Sequence, residues 1–317
     1  MLIHEKVSLD ESVRLIVEND RCAVYKVEDA SGEGIMTCYP VFPGLIIVYN
    51  DFHIEHCHSQ VRPRADLFCV DHCREGRIEW EMENGAYIYR EAGILQFDTR
   101  EKHGRNFNFP LRHYHGLTIN FFIDEAQEYL SAGPEGFTID LRALREKFCP
   151  GGWPQAMAAD NILRFNFETL YNIQETIRTP LLRIKILELL LYLDALPAGN
   201  EFIKHPYFHK TQVDTIKAIE RFMTARPENR YTLEELSARF KISASSMKRC
   251  FKGVYGSSVY AYMRAWRMNA AAVMLRQTDD SVITIAADLG YDNASKFSNA
   301  FKDVMGKTPS EYRKDMV

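Results

Sequence analysis

The sequence lacks several features that would direct a chain to a membrane or to an oxidising compartment. Its first residues, Met1 to Lys6, have neither the basic start nor the apolar run of a signal peptide, and no apolar stretch approaches the length of a membrane span. Only seven of the 317 residues are cysteine, an odd number that does not suit a complete disulfide framework. We therefore expect reduced thiols, a cytoplasmic location and no membrane partner.

The chain also lacks an even distribution of charge. Residues 205–317 contain 18 Lys and Arg against 12 Asp and Glu, a net charge of +6, whereas residues 1–204 contain 21 against 31, a net charge of −10. With 46% hydrophobic residues, the chain is long enough for two or three domains with their own cores. A basic C-terminal third joined to an acidic remainder favours a nucleic-acid contact confined to that third.

Residues 1–123 have the pattern of a β-rich domain. Short apolar or alternating runs recur between the turn signals Glu75-Gly76, Asn84-Gly85 and Ala92-Gly93. Many short strands at such spacing predict a small antiparallel barrel or jelly roll whose interior has room for one small ligand. The predicted strands are Ala23–Val27, Ile35–Tyr39, Leu45–Asn50, Leu67–His72, Arg77–Met82, Tyr87–Arg90, Ile94–Asp98 and Leu117–Ile123.

The apolar period becomes helical over residues 124–197. Asp124 and Gln127 have the spacing of a capping box at the start of this region. The predicted helices are Leu141–Phe148, Asp160–Tyr171 and Pro180–Leu196.

The helix predicted at Pro180–Leu196 is apolar around most of its circumference, so it must be covered on several sides. Two interpretations stay open, a central core helix and a subunit interface. Proline and glycine break the pattern after this helix, and residues 198–210 are predicted to be a linker.

The C-terminal third repeats itself at an interval of fifty residues, with Phe251 recurring as Phe301 and Tyr262 as Tyr312. An apolar frame, a turn and a short helix precede each copy, which is the pattern of a helix-turn-helix. Between the copies, Ser258 to Arg276 is predicted to be one helix of about 28 Å. That length is sufficient to hold two recognition helices about 34 Å apart, one turn of DNA.

Helical spacing divides the two predicted recognition helices into inward and outward faces. The inward residues are Met247, Cys250 and Phe251 in the first helix and Phe297, Ala300 and Phe301 in the second. The polar residues left on the outward faces are of the types that bond base edges and phosphates. The candidate DNA-contacting residues are Ser245, Lys248, Arg249, Lys252, Ser295, Lys296, Ser298 and Asn299.

The second copy contains a longer signature. It consists of Ile285-Ala286, Gly290-Tyr291, Phe297-Ser298, Phe301-Lys302, Gly306, Thr308-Pro309 and Tyr312-Arg313. These residues at these spacings resemble the C-terminal signature of the AraC/XylS family of bacterial transcription regulators over roughly residues 211–313. Two departures are visible, Lys241 where glycine is common and Ala244 where proline is common, and they leave the tilt of the first recognition helix open.

The resemblance implies that residues 211–317 are a DNA-binding domain of two helix-turn-helix units joined by a long helix. It also implies base contacts by the outward faces described above. The usual N-terminal partner in the family is a cupin-like barrel that binds an effector or mediates dimerisation, and residues 1–123 resemble it loosely.

The histidines of the N-terminal region could carry metal chemistry. On a strand, His56 and His58 share one face. His113 and His115 do the same, and two such pairs converging inside a barrel would resemble an enzymatic cupin site. Enzymatic cupins place a glutamate a few residues after the first pair, whereas Ser59 to Arg62 follow here. We therefore predict no metal ligands, no cofactor and no enzymatic activity.

A small-molecule site in such a barrel would be mostly apolar and aromatic, with a few polar anchors. An acidic N-terminal region argues against a strongly anionic effector unless Arg62, Arg64, Arg90 or Arg112 faces inward. The candidate effector-contacting residues are Trp80, Tyr87, Arg112, His113 and His115.

These patterns predict an α+β protein with an N-terminal cupin-like β-barrel, a helical region and a C-terminal all-α double helix-turn-helix domain. We expect a transcription regulator that is a homodimer through residues 1–200 and is controlled by a small-molecule effector. Its expected partners are double-stranded promoter DNA, that effector and RNA polymerase. Two alternatives stay open, a metal-binding cupin sensor or enzyme with an accessory DNA-binding domain, and a protein-binding adaptor that docks through Leu181–Leu193.

Overall fold

The computed structural model describes residues 13–58, 66–82, 85–133, 137–197, 202–203 and 208–314. The chain divides into two compact units, residues 1–207 and residues 208–317. The first unit is rich in strands and the second consists mainly of helices. No helix within the described ranges is both long enough and apolar enough to cross a membrane.

Antiparallel strands form most of the first unit. They pair in the order β1-β2-β3-β4-β10-β6-β7, while β8 and β9 also pair with β6, β5 with β9 and β11 with β8. The strands are β1 (Val13–Glu18), β2 (Ala23–Asp29), β3 (Gly32–Phe42), β4 (Leu45–His53), β5 (His56–His58), β6 (Leu67–Met82), β7 (Ala86–Glu91), β8 (Ile94–Asp98), β9 (His103–Asn108), β10 (Tyr114–Phe122) and β11 (Gln155–Ala158).

The 16-residue strand β6 is the central element because it pairs with four other strands. Its first half pairs with β10 and β8, and its second half pairs with β7 and β9. The predicted turn at Glu75-Gly76 is therefore wrong, since the chain stays in β6 through both residues. Gly76 has φ of +81°, and a Cβ there would lie 2.0 Å from the carbonyl oxygen of His113. Glycine thus allows β6 to bend beside β10.

The other predicted turns in this region involve two further glycines. Gly93, with φ of +79°, lies in the turn between β7 and β8, as expected. Gly85, with φ of +73°, precedes β7, and its neighbour Asn84 lies outside the described residues.

The described residues of the first unit also form four α-helices: α1 (Ile123–Ser131), α2 (Leu141–Phe148), α3 (Asn161–Tyr171) and α4 (Arg178–Ala195). They share one hydrophobic core with the sheet. Strand residues such as Ile47 and Phe97 and helix residues such as Leu163 and Leu190 are buried together in it. Because helix and sheet residues fill one core, the helices cover a face of the sheet that would otherwise be exposed to water.

The predicted capping box at Asp124 and Gln127 is wrong. Strand β10 leads directly into α1, whose N-cap residue is Phe122, and no side chain caps the helix. Gln127 instead donates to the carbonyl oxygen of Ile139 at 3.0 Å and accepts from the backbone N–H of Leu141 at 2.9 Å. Its amide therefore connects α1 to the start of α2.

Helix α4 buries one side and exposes apolar residues on another. Five residues are buried in the core: Leu182, Ile186, Leu189, Leu190 and Leu193. In contrast, Ile184 is 60% exposed and Leu191 is 50% exposed. The five buried residues agree with the interpretation of this segment as a core helix. The interpretation as a subunit interface depends on the exposed residues Ile184 and Leu191.

The second unit contains both helix-turn-helix copies. They are formed by α6 with α7 and by α9 with α10, and the 19-residue helix α8 packs against helices of both copies. The predicted order of two units around one long helix is confirmed. The helices are α5 (Lys210–Thr224), α6 (Leu233–Phe240), α7 (Ala244–Tyr255), α8 (Val259–Gln277), α9 (Val282–Asp288), α10 (Ala294–Met305) and α11 (Pro309–Lys314).

The two copies use the same aromatic contact. The rings of Phe251 and Tyr262 lie 5.5 Å apart at an angle of 77°, and those of Phe301 and Tyr312 lie 5.4 Å apart at 80°. Such edge-to-face pairs stabilise a core by about 0.5–1.5 kcal/mol beyond the burial of their area. The repeat read in the sequence is therefore a repeat of packing.

Candidate nucleic-acid interface

The first recognition helix, α7, follows α6 across a short turn. Capping residues on both sides of that turn fix where α6 and α7 begin. Thr232 and Glu235 form the predicted capping box at the start of α6. Lys241 ends α6 with φ of +53° and ψ of +41°, so this lysine adopts the left-handed conformation that glycine adopts most easily. Ser243 then caps α7 by accepting from the backbone N–H of Ser246 at 3.2 Å. The departure at Lys241 therefore leaves a helix-turn-helix in place.

The second recognition helix, α10, depends on Gly290 and Asn293. Gly290 has φ of +75°, and a Cβ there would lie 2.4 Å from the carbonyl oxygen of Glu228. Arg230 donates to the carbonyl oxygen of Gly290 at 3.0 Å. The side chain of Asn293 caps α10 by accepting from two backbone N–H groups. These contacts bring the loop before α6 against the turn of the second copy.

The structure places the predicted DNA-contacting residues on the outward faces of α7 and α10. Seven of the eight are exposed, and Ser298 is half-buried. The predicted inward residues of both helices are buried. The assignment of faces from helical spacing is confirmed, whereas the contacts with bases remain a prediction.

Four of the eight residues line one cleft of about 1130 Å³ that α7, α8 and α10 border: Lys248, Lys252, Lys296 and Asn299. The residues lining it include six Lys or Arg and two Asp or Glu, a net charge of +4. A cleft with one dominant sign of charge concentrates ligands of the opposite sign, here phosphate groups. The remaining four candidates, Ser245, Arg249, Ser295 and Ser298, lie on the same two helices outside this lining.

Arginines of the cleft are held by internal contacts. Arg267 of α8 donates to the carbonyl oxygens of Pro227 and Asn229 at 2.8 Å each. Arg264 pairs with Asp303 of α10 at 2.5 Å. Sequence reasoning missed both arginines, because spacing on α8 does not reveal which loop each side chain reaches. In the described part of the chain, the three cleft lysines form no ion pair and so remain available to phosphates.

The candidate effector-contacting residues lie in different surroundings. Trp80 is fully buried, and Tyr87 is 6% exposed. Arg112 is exposed and pairs with Glu55 at 2.7 Å. The imidazoles of His113 and His115 are half-buried. The five residues do not share one environment, and their contact with an effector stays a prediction.

Sequence reasoning also missed a buried ionic network in the first unit. Asp71 is fully buried and pairs with Arg90 at 3.0 Å and with Arg100 at 2.8 Å. Burial by itself would raise the pKa of Asp71, but the two arginines outweigh it and hold that pKa below its usual range. Arg90 is thus an inward-facing arginine that is already paired, while Arg62 and Arg64 lie outside the described residues.

The histidine pair on β5 has partners of its own. The Nε2 atom of His56 lies 3.1 Å from a carboxylate oxygen of Asp29, and the Nδ1 atom of His58 lies 2.9 Å from the side-chain oxygen of Asn106. His113 instead lies beside His53 of β4, with 5.1 Å between ring centroids. The described residues therefore place His113 with a partner that the sequence pattern did not suggest.

Two helix-turn-helix units on one connecting helix, with cationic outward faces, define a class of DNA-binding domain. Residues 236–315 match the family model described as "Helix-turn-helix domain". This match and the AraC-like relatives described next confirm the resemblance of the C-terminal unit to the AraC/XylS family.

Curated bacterial transcription regulators are similar to a part of this chain of about 90 residues. The HTH-type transcriptional regulator MtrA of Neisseria gonorrhoeae is 30% identical over 90 residues, which are 28% of this chain and 30% of that protein. An AraC-like transcription regulator of Streptomyces antibioticus is 33% identical over 93 residues, 29% of this chain and 31% of that protein. The chain thus spans less than a third of the length of these curated relatives.

Among solved structures, the C-terminal domain of AraT, a response regulator of Geobacillus stearothermophilus, is 28% identical to the matched part of this chain. The match covers 32% of this chain and 84% of that domain, with a TM-score of 0.31.

Proposed function

We propose that this chain is a sequence-specific DNA-binding transcription regulator. The observation that carries the proposal is the duplicated helix-turn-helix, whose recognition helices expose polar and cationic residues beside one cleft. Two recognition helices held by α8 suit adjacent major grooves, about 34 Å apart on one face of the duplex. Arg249 and Asn299 are of the types that bond guanine and adenine edges, and the cleft lysines are suited to phosphates.

The first unit is proposed to be a cupin-like domain that binds a small-molecule effector. Its support is architectural, since antiparallel strands bury a hydrophobic core in a unit separate from the proposed DNA reader. In this proposal the protein acts in the cytoplasm, is not an enzyme, and changes the access of RNA polymerase to a promoter when the effector binds.

We further propose that two copies associate through an apolar stripe on the first unit. Ile184 and Leu191 of α4 lie seven residues apart and are 60% and 50% exposed. Ile177, which is 47% exposed, lies seven residues before Ile184 in the turn that precedes α4. A seven-residue interval keeps side chains on one side of a helix, as in helix pairs. Phe165 of α3 is 65% exposed, and its ring lies 5.4 Å from the Nζ atom of Lys185 of α4, which extends the stripe across both helices. A second copy offers the matching apolar surface.

Selection of DNA from a random-sequence duplex pool tests the proposed function. We expect the full chain to enrich sites with two short motifs centred about 10 base pairs apart, because each recognition helix reads one major groove. Retention of all sequences alike would contradict sequence-specific regulation, and failure to retain any DNA would favour the adaptor hypothesis.

Native mass spectrometry of the purified chain tests the effector. The expected result is a bound small molecule whose removal changes the affinity for the selected DNA. A chain without bound molecules, whose DNA affinity no small-molecule library alters, would contradict effector control while leaving DNA binding intact.

A further inference from the structure

Three neighbouring strands place five side chains capable of binding a metal on one face of the first unit. Asp51 and His53 lie two residues apart on β4, while His115 belongs to β10 and His113 lies directly before that strand. The register pairs His115 with Asp51 on one side and with Glu75 of β6 on the other. Alternation along a strand points residues i and i+2 to the same face.

Burial supports this assignment of faces. Phe52 and Tyr114, the residues between the members of each pair, are opposite one another in the ladder and are 7% and 2% exposed. In contrast, the side chains of Asp51, His53 and His113 are 57%, 64% and 34% exposed. The aromatic residues therefore face the core, and the candidate ligands face solvent.

Three of these side chains are already close together. The ligand atoms of Asp51, His53 and His113 all lie within 4.8 Å of one another. The Nε2 atom of His53 is 3.2 Å from a carboxylate oxygen of Asp51, and the rings of His53 and His113 have centroids 5.1 Å apart. On its other side, the Nε2 atom of His113 is 3.5 Å from a carboxylate oxygen of Glu75.

We propose that Asp51, His53 and His113 form a site for a divalent transition-metal ion of the zinc class, with the carboxylate of Glu75 beside His113 as the fourth ligand. Zinc binds histidine nitrogen and carboxylate oxygen at about 2.0–2.2 Å, so neighbouring ligand atoms in a tetrahedron are about 3.3 Å apart. The side chains of Asp51 and His53 are more than half exposed, so small rotations of these two can close the present spacing to that value.

The chemistry of the donors selects the class of ion. Two imidazoles with carboxylates suit Zn²⁺, Ni²⁺ or Cu²⁺, whereas Mg²⁺ and Ca²⁺ prefer sites made of oxygen alone. The nearby thiol of Cys73 is buried and directed to the carbonyl oxygen of Glu75 at 3.4 Å, so it does not face the site. Arg74, the neighbouring cation, lies over the ring of Tyr171 at 5.0 Å.

Titration of the tag-free, chelator-treated full chain with Zn²⁺ in a calorimeter tests the site. We expect one saturable site that Mg²⁺ does not occupy. The double variant His53→Ala/His113→Ala should bind Zn²⁺ at least about tenfold more weakly, since loss of an outer-shell partner alone reduces metal affinity by about 10–100-fold. The matched control His56→Ala/His58→Ala changes two exposed histidines on β5 and should bind like the parent chain.

Three calorimetric results would overturn the proposal. These are a parent chain without saturable Zn²⁺ binding, a double variant that keeps the parent affinity, and a control that loses affinity as much as the double variant does. Circular dichroism checks that both double variants remain folded, as expected for substitutions at solvent-facing positions. A Co²⁺-loaded parent chain adds a second readout, because nitrogen and oxygen ligands give no thiolate charge-transfer band. A strong band of that kind would assign the metal to cysteines instead. These measurements do not depend on DNA binding, so the site can fail while the proposed function stands.

Discussion

Arg249 is an exposed arginine on the outward face of α7, between the buried residues Met247 and Cys250. Replacing it by alanine should weaken binding to the selected DNA site by about 1–3 kcal/mol, because a bidentate contact to a base edge has that value. The fold should be unaffected, since the side chain lies in solvent. Competition binding with specific and non-specific duplexes measures the change.

Lys302 of α10 provides a matched control for Arg249, because it is also exposed and belongs to the second copy. Its replacement by alanine should weaken specific and non-specific binding alike and reduce the slope of the salt dependence. If Arg249→Ala behaves in this same uniform way, Arg249 contacts phosphate only and the proposed base contact is wrong.

His72 makes the stability of the first unit depend on pH. It is 7% exposed, stacks on Phe167 with 4.4 Å between centroids, and has its Nδ1 atom 3.1 Å from the hydroxyl of Tyr171. Burial, with smaller contributions from Arg90 and Arg74, lowers its pKa to about 4. The folded state therefore binds fewer protons than the unfolded state between that pKa and about 6.5, so stability falls as the pH falls through this window.

For the shift at His72, the expected loss of unfolding free energy is roughly 3 kcal/mol between pH 7.5 and pH 4. His72→Phe keeps an aromatic ring at the position and removes the titration. Denaturant unfolding of the parent and the variant at several pH values should give a flatter profile for the variant. Parallel profiles for the two chains would show that His72 is not protonated on unfolding in this window.

At the scale of elements, the sequence predicts best those features that depend on residues close together in the chain. The bounds of α2 and the inward faces of α7 and α10 follow from helical period and caps, which are local. Strands β5 and β9 were missed because they are short and carry no apolar alternation, as His56–His58 and His103–Asn108 show. Gly76 was misread for a related reason, since its role depends on β10, a distant partner.

The candidate sites show the same difference between features set by neighbouring residues and features set by distant strand pairing. The residues on the outward faces of the recognition helices could be predicted from helical spacing alone. The grouping of Asp51 with His113 could not, because it depends on the register of β4 against β10, more than sixty residues apart in the chain. The ion pairs of Asp71 are hidden from the sequence for the same reason.

Phe301 is the core residue of α10 that tests the second copy as an element. It is fully buried and contacts Phe297 and Tyr312. Phe301→Ala should reduce the free energy of unfolding of the C-terminal unit by about 3–5 kcal/mol, because a buried ring leaves a cavity. Val304 is 39% exposed on the same helix, so Val304→Ala is the matched control and should cost far less. Equal thermal midpoints for all three chains would mean that the inward face is assigned wrongly.

At the scale of the whole molecule, the uneven charge and the two compact units support the proposal that the C-terminal unit is the DNA reader. The reader contains both recognition helices and needs no partner to span one turn of DNA. Association is therefore expected to depend on the first unit, where the exposed apolar stripe lies. This division predicts that dimerisation and DNA reading can be altered independently.

The last prediction tests that division through the stripe on α4. Full-length parent chain should sediment as a dimer at micromolar concentration, and Ile184→Glu/Leu191→Glu should sediment as a monomer that stays folded. Both side chains are at least half exposed, at 60% and 50%, so glutamate there meets water in the monomer and an apolar partner surface in the dimer. Ile283→Glu is the matched control, since Ile283 is a 69% exposed isoleucine of the C-terminal unit, and this variant should remain a dimer. A monomeric parent, or a stripe variant that stays dimeric, would remove the stripe as the interface and leave α4 as a core helix with an apolar outer side.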